Sequence, residues 1–296
     1  MVDLPSPASA EGHVRLDVAG PIATITIDRE AKANALTWAM VGQLRDAVAR
    51  CRESAQVRVV VITGAGTRAF CAGADLSGMA DTADQSGMAD TADLSGTPDT
   101  GKRRGGSAAA AEPDPVAVHE ARGQLAALFV DLDELGKPTI ARVQGYALAG
   151  GFGLAMACDI VVAADDAVFG APEINVGLWP FMISVPLARA LPPKIALELM
   201  MTGRRIDARE AAALGCVNKV VAPAELDGAI TQLATTLSSK APVAMRIGRT
   251  AFYDTLGLPP RVALARLHPL LGVLANGDEA REGIEAFAQK RPPRWA

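Results

Sequence analysis

The chain has 296 residues, half of them apolar, with a formal net charge of −4 and only 4% aromatic residues. That length and apolar share support a sizeable core in one large α/β domain or two smaller ones and exclude disorder of the whole chain, while mixed charges without a basic stripe exclude nucleic acid as a partner. Four scattered cysteines, Cys51, Cys71, Cys158 and Cys216, have no CxxC pair or Cys/His ligand spacing and read as reduced thiols of a cytoplasmic protein without a metal site.

The first dozen residues carry Asp3, Glu11 and two prolines, with neither a basic start nor an apolar run, so no signal peptide is expected. Ile22 to Asp28 alternates, with Ala23, Ile25 and Ile27 on one face, which predicts a strand. Leu36, Met40, Leu44 and Val48 recur every four residues and predict a helix covering the sheet. Val57 to Thr63 is a β-branched run bounded by glycines, suited to a strand buried on both faces. SGMADTAD then occurs at 77–84 and again at 86–93 and leads into a Gly/Ala/Pro-rich stretch to Pro115, a slipped duplication expected to form a dispensable, mobile surface loop.

A second strand-helix-strand unit is predicted through Thr139 to Val143, a helix from Gly150, and Ile160 to Ala163, implying a mostly parallel sheet with right-handed crossovers. The apolar stretch from Ala147 to Ala164 is long enough to suggest a membrane span, but Asp159 and the glycines 150, 151 and 153 favour a buried helix and strand, so no membrane partner is expected. Beyond Pro193 the signals are helical. Asp207 with Glu210 forms a capping box, Gly215 is a stop, and further helices are expected from Ala224, Val243, Arg261 and Asp278.

Two loops carry the chemistry. AFCAGAD at 69–75 and GYALAGGFG at 145–153 gather small residues where a strand should end and a helix begin, so backbone N–H groups can approach a ligand and face a developing anion. Their order and spacing resemble the signature loops of the crotonase (enoyl-CoA hydratase/isomerase) superfamily. Asn34-Ala35-Leu36, Cys158-Asp159, FGAPEINVG at 169–177 and EGIEAFAQKR at 282–291 match it in order as well.

The resemblance implies an α/β fold: a spiral core of repeated β-β-α units over 12–206, interrupted by the 77–115 insertion, and a helical trimerisation region over 207–296. Homotrimers that pair into hexamers follow from it. It also implies an acyl-CoA thioester as substrate, with no separate cofactor because coenzyme A is part of that substrate. Ala74 and Gly150 become oxyanion-hole donors for the thioester oxygen, each contributing roughly 3 kcal/mol to the transition state. Lys32, Ala33, Ala72, Asp75 and Leu76 line the coenzyme A groove by the same resemblance, and Phe287 and Lys290 approach it from the C-terminus.

Hydratases of the superfamily use two glutamates. One matches Glu173 here; the other falls where this chain has Gly153. Hydration needs one group to activate water and another to protonate carbon, whereas moving a double bond needs a single carboxylate. Trp179, Pro180, Phe181 and Met182 stand where hydratases have small glycines. The expected activity is therefore isomerisation of an enoyl-CoA through Glu173. Hydration with a carboxylate from elsewhere is the alternative, and a catalytically silent acyl-CoA binding protein is another. A carboxylate restored at 153 is expected to add hydration unless Phe181 or Met182 crowds it. No GxSxG elbow, P-loop or dinucleotide GxGxxG occurs, and His13, His119 and His268 fall in the tail, the insertion and a late helix.

Overall fold

The computed structural model describes residues 12–75 and 115–295. The repeats at 77–93, the rest of 77–114 and Leu76 lie outside the described residues. Strands β1 (His13–Ala19) and β2 (Ile22–Asp28) form an antiparallel hairpin, and Ala23, Ile25 and Ile27 of β2 are fully buried, as the alternation requires. A 3₁₀ turn at Glu30–Lys32 precedes α1 (Trp38–Glu53), whose N-cap Thr37 accepts the Met40 N–H. Met40, Leu44 and Val48 bury the expected stripe. Leu36, expected at the head of that stripe, lies outside the helix in a bridge with Ala74. Its N–H and C=O are taken by Gly73 and Asp75, so the helix begins only after Thr37.

The chain continues through β3 (Val59–Gly64), β4 (Ala69–Cys71) and α2 (Pro115–Asp133). His119, expected within the insertion, lies on α2. Next come β5 (Thr139–Val143), β6 (Tyr146–Leu148), α3 (Gly150–Met156), β7 (Ile160–Ala164) and β8 (Val168–Gly170), followed by a 3₁₀ turn at Pro172–Val176. Then follow α4 (Phe181–Ala190), α5 (Pro193–Thr202), β9 (Arg205–Asp207), α6 (Ala208–Ala213) and β10 (Lys219–Val221). The C-terminal helices are α7 (Leu226–Ser238), α8 (Pro242–Thr255), α9 (Pro260–Ala275) and α10 (Asp278–Ala288). The Asp207 carboxylate caps α6 by accepting the Glu210 N–H at 2.7 Å, and Gly215 follows with φ +88°.

These elements wind as a spiral. β3, β5 and β7 enter one sheet of order β1-β2-β3-β5-β7-β10, while the strand after each, β4, β6 and β8, enters a second sheet of order β4-β6-β8-β9. Helix α2 links the first turn to the second and α3 the second to the third, so the strands paired between successive turns are parallel. Only the outer pairs β1–β2 and β8–β9 are antiparallel. All of β3 is buried because the main core lies on one face and α7 covers the other, with Leu226, Ile230 and Ala234 against Val59, Val61, Ile140 and Val162. The region after 207 thus contributes β10 and α7 to the body itself. The 147–164 stretch divides into β6, α3 and β7, and among the described residues no helix is long and apolar enough to cross a membrane. Cys51, Cys71, Cys158 and Cys216 are free and buried.

Helix α8 is fastened to this body by one carboxylate. Asp159 accepts hydrogen bonds from the Thr139 N–H and hydroxyl at 2.8 and 3.0 Å, from Arg249 Nε at 2.8 Å and from the Tyr253 hydroxyl at 2.7 Å. Arg249, with its side chain only 7% exposed, also donates to the carbonyls of Asp133 and Leu132 at the end of α2. Asp159→Ala strands a buried guanidinium, and the expected cost is about 3–5 kcal/mol. Urea denaturation of the variant against the parent protein measures it; a loss below about 1 kcal/mol contradicts the anchoring role.

Candidate active site

The first loop is shaped by the segment that precedes α1. Asn34, fully buried with φ +57°, accepts the Arg29 N–H at 3.0 Å and donates to the carbonyls of Ala65 and Ala69 at 2.9 and 2.7 Å. Beside it, Ala33 in the left-handed region accepts the Ala72 N–H at 3.0 Å. Leu36 then donates to the Gly73 carbonyl and accepts the Asp75 N–H, both at 2.8 Å. In such a one-residue parallel bridge the residue between the two bonded ones turns its own N–H the other way. Ala74 is that residue.

The second loop presents a matching donor. Ala149 adopts φ +50° and ψ −126°, a conformation that costs an alanine roughly 1–3 kcal/mol. It is held by its N–H bond to the Gly170 carbonyl at 2.8 Å and by the Gly153 N–H donating to its own carbonyl at 3.1 Å. The next N–H, that of Gly150, stands at the open start of α3. A methyl group placed on Gly150 would sit 3.7 Å from Ala74 N, and one placed on Gly73 would sit 3.3 Å from Gly150 N. The two N–H groups are therefore neighbours, and among the described residues neither donates to a backbone carbonyl. Glycine at 150 keeps the space in front of Ala74 clear. With only seven residues α3 has a short dipole, so two oriented N–H groups, more than a macrodipole, are what this place offers an anionic oxygen.

The register of β8 sets Glu173 just beyond the strand that pairs with β6, the strand leading into Ala149 and Gly150. Leu148 pairs with Gly170, and Glu173 follows three residues later on the 3₁₀ turn that Gly177 closes with φ +76°. One of its carboxylate oxygens, Oε2, is buried without a hydrogen-bond partner. Burial raises its pKa above the ordinary carboxylate value, opposed only in part by a backbone hydrogen bond. A carboxyl group with a buried, unspent oxygen can take up and return a proton.

Position 153 is closed. A Cβ on Gly153 would lie 2.3 Å from Ile183 Cγ2, 2.7 Å from Ile183 Cβ and 3.1 Å from the edge of the Phe129 ring. Phe181 and Met182, the condition set above on a restored carboxylate, do not crowd this place: both are exposed and line a separate cavity of about 540 Å³ with Phe129, Tyr253 and Arg189. That cavity touches none of Ala74, Gly150 and Glu173. Trp179 packs partly buried against the core.

The structure thus gathers Ala33, Ala72, Ala74 and Gly150, while Glu173 stands on the turn after β8. Lys32 is exposed on the turn next to Ala33. The Asp75 carboxylate is engaged by Arg29 Nη1 at 2.6 Å, which also donates to the Ala35 carbonyl, so its visible part is to hold the 29–36 segment against the loop. Leu76 lies outside the described residues. Phe287, 87% exposed, and Lys290 are on and just after α10, which docks through Glu279 on the start of α8. Among the described residues no hydrogen bond or ion pair joins their side chains to the Ala74–Gly150 pair. Arg29, Phe129 and Ile183 were not singled out from the sequence. Only the positive-φ demand at Asn34 leaves a local trace there, since asparagine tolerates that region.

Residues 17–95 and 109–296 match the family profile described as enoyl-CoA hydratase/isomerase. A carnitinyl-CoA dehydratase of Escherichia coli is 37% identical over 283 residues, spanning 93% of this chain and 95% of that protein. The carnitinyl-CoA dehydratase of Proteus mirabilis is 33% identical over 290 residues, spanning 95% and 97%. The solved structure of an enoyl-CoA hydratase from Mycobacterium smegmatis has a TM-score of 0.81 at 31% identity, covering 95% of this chain and 98% of that one. Human enoyl coenzyme A hydratase domain-containing protein 3 reaches 0.81 at 28% identity, covering 95% and 99%. With spiral, loops and whole-chain likeness in agreement, the chain belongs to the enoyl-CoA hydratase/isomerase family of the crotonase superfamily.

Proposed function

We propose that the protein moves the double bond of an enoyl-CoA thioester from the 3- to the 2-position, with Glu173 as the single proton carrier and Ala74 and Gly150 as the oxyanion-hole donors. The observation that carries this reading is the partnerless buried oxygen of Glu173 set against the closed position at Gly153. The Glu173 carboxylate removes a proton from C2, and the electron pair of that bond moves onto the thioester oxygen between the two N–H groups. As the pair returns, the double bond forms between C2 and C3, and the electrons of the former C3–C4 double bond take the proton from Glu173 at C4. One carboxyl group suffices and no water is consumed. Coenzyme A enters with the substrate, along Lys32, Ala33, Ala72, Asp75 and Leu76 in this reading, so no further cofactor is proposed. Self-association as a homotrimer or a hexamer is part of the same proposal, with Phe287 and Lys290 serving the coenzyme A groove. The strongly exposed Leu264, Leu271, Ile284 and Phe287 of α9 and α10 support it.

A second reading, addition or removal of water, is favoured by the names of the relatives, carnitinyl-CoA dehydratase and enoyl-CoA hydratase. It needs a carboxylate from somewhere other than position 153. Incubation with 3-enoyl-CoA and 2-enoyl-CoA, each followed by product chromatography, separates the readings. The expected result is 2-enoyl-CoA from the first and little 3-hydroxyacyl-CoA from the second. Strong hydration contradicts the single-carboxylate proposal, and turnover of neither identifies a binding protein.

Glu173→Gln is expected to lower isomerisation by about 10²–10⁴-fold and leave acyl-CoA affinity within a few fold. Retention of most of the turnover removes Glu173 from its role. The same residue sets a pH dependence. Because burial raises its folded pKa, the carboxylate base is lost as pH falls through a value above the ordinary carboxylate range, and kcat for isomerisation falls there. The stability effect has the opposite direction. The unfolded chain ionises Glu173 more readily than the folded one does, so its destabilising effect is absent at low pH, appears as pH rises past the unfolded pKa and is complete above the folded pKa. The Tm of Glu173→Gln relative to the parent should therefore rise with pH; a difference that is flat from pH 4 to 8 contradicts a raised pKa.

A further inference from the structure

We propose that Ile183 determines which reaction this site runs, by filling the place on α3 from which a second carboxylate and its water would reach the substrate. The proposal rests on the reading of Ala74, Gly150 and Glu173 as the acyl-CoA site. Gly153 lies three residues beyond Gly150, one turn deeper on nearly the same face of α3. Helix α2 repeats that spacing. A methyl on Gly150 would meet Leu125 at 3.7 Å, and one on Gly153 would meet Phe129 at 3.1 Å, the residue one turn further along α2. From the other side α4 inserts Ile183, which is 2% exposed and lies 2.3 Å from the missing Cβ. Next to the donor pair the wall is therefore made of Leu125, Phe129 and Ile183, all without a polar side-chain group.

Hydration of a 2-enoyl-CoA needs more than this wall provides. A base must take one proton of a water molecule while the water oxygen bonds to C3, the electrons of the double bond move through C2 to the thioester oxygen, and a carboxylic acid then protonates C2. Glu173 can serve as that acid, but no titratable group on α3 can serve as the base. The Phe129 ring edge can yield a few tenths of an ångström. Ile183 cannot, because its Cβ, attached directly to the α4 backbone, is itself 2.7 Å from the new Cβ. Ile183→Ala keeps that atom; only Ile183→Gly removes it.

The test is a double-variant comparison of Gly153→Glu, Ile183→Gly and both together, read by thermal melting and by 3-hydroxyacyl-CoA formation from 2-enoyl-CoA. Gly153→Glu alone is expected to lower Tm by about 5 °C or more through overpacking. Ile183→Gly alone also lowers it, and the loss in the double variant is smaller than the sum of the two. Hydration is expected to be at least about 10-fold faster in the double variant than in Gly153→Glu. The proposal is overturned if Gly153→Glu melts with the parent protein, if the two Tm losses simply add, or if hydration is equal in Gly153→Glu and the double variant. Melting involves no substrate, so failure of the isomerase reading leaves that arm intact. A second measurement requires nothing at 153: isomerisation by Ile183→Ala in D₂O. Opening the wall should raise the deuterium content of the product severalfold over the parent protein, and an unchanged content counts against Ile183 as the barrier to water.

Discussion

The buried side-chain amide of Asn34 fixes the geometry on which the site depends. Its oxygen takes the Arg29 N–H and its nitrogen serves two carbonyls, Ala65 in the turn after β3 and Ala69 at the start of β4. A buried polar group left unsatisfied by loss of such a bond costs roughly 1–3 kcal/mol. With the 29–36 segment locked in this way, Ala33 and Leu36 become a fixed template along which Ala72, Gly73 and Asp75 are strung. The Arg29–Asp75 ion pair closes the same loop from the side, with both side chains largely out of solvent. The orientation of the Ala74 N–H thus follows from residues 40 positions earlier in the chain, and the fold holds it before any ligand arrives.

Two features of the second loop and of the turn after β8 are destabilising in themselves. Ala149 holds a positive φ with ψ −126°, where glycine would be at ease, and Glu173 keeps an oxygen in the interior with no partner. Both costs are met by the surroundings. The parallel register of β6 and β8 fixes Leu148 against Gly170 and the Ala149 N–H on the Gly170 carbonyl, which holds the strained turn in place. Helix packing excludes water from the wall beside Gly150, lowering the local dielectric and strengthening whatever the two N–H groups hold.

The sequence disclosed those elements whose signal is local. β2 follows its alternation, α1 its four-residue stripe, and α6 its Asp207–Glu210 box, and the two glycine loops stand where their ordered motifs put them. Strands β4, β6, β8 and β9 have three residues each, too few to show a period, so the second sheet was invisible although the site is built on its ends. The departure of Leu36 from its helix depends on a bridge to Ala74, 38 positions away, which no local pattern announces. Contacts between helices distant in sequence were equally hidden. Phe181 and Met182 looked like the crowding residues because they are large and follow Glu173 closely, yet α4 turns them outward and sends the next residue, Ile183, inward.

That inward turn shows how local the shaping of the site is beside the whole-chain likeness. Matches over more than nine-tenths of the chain record the spiral, the loop template and the packing of sheets and helices, properties spread over many residues. The wall beside Gly150 is shaped by far fewer. α3 carries glycine at 153, and Ile183 of α4 with Phe129 of α2 fills the space that a side chain there would take. Cores stay packed when total volume is kept. Glycine at 153 therefore leaves no void to destabilise the protein.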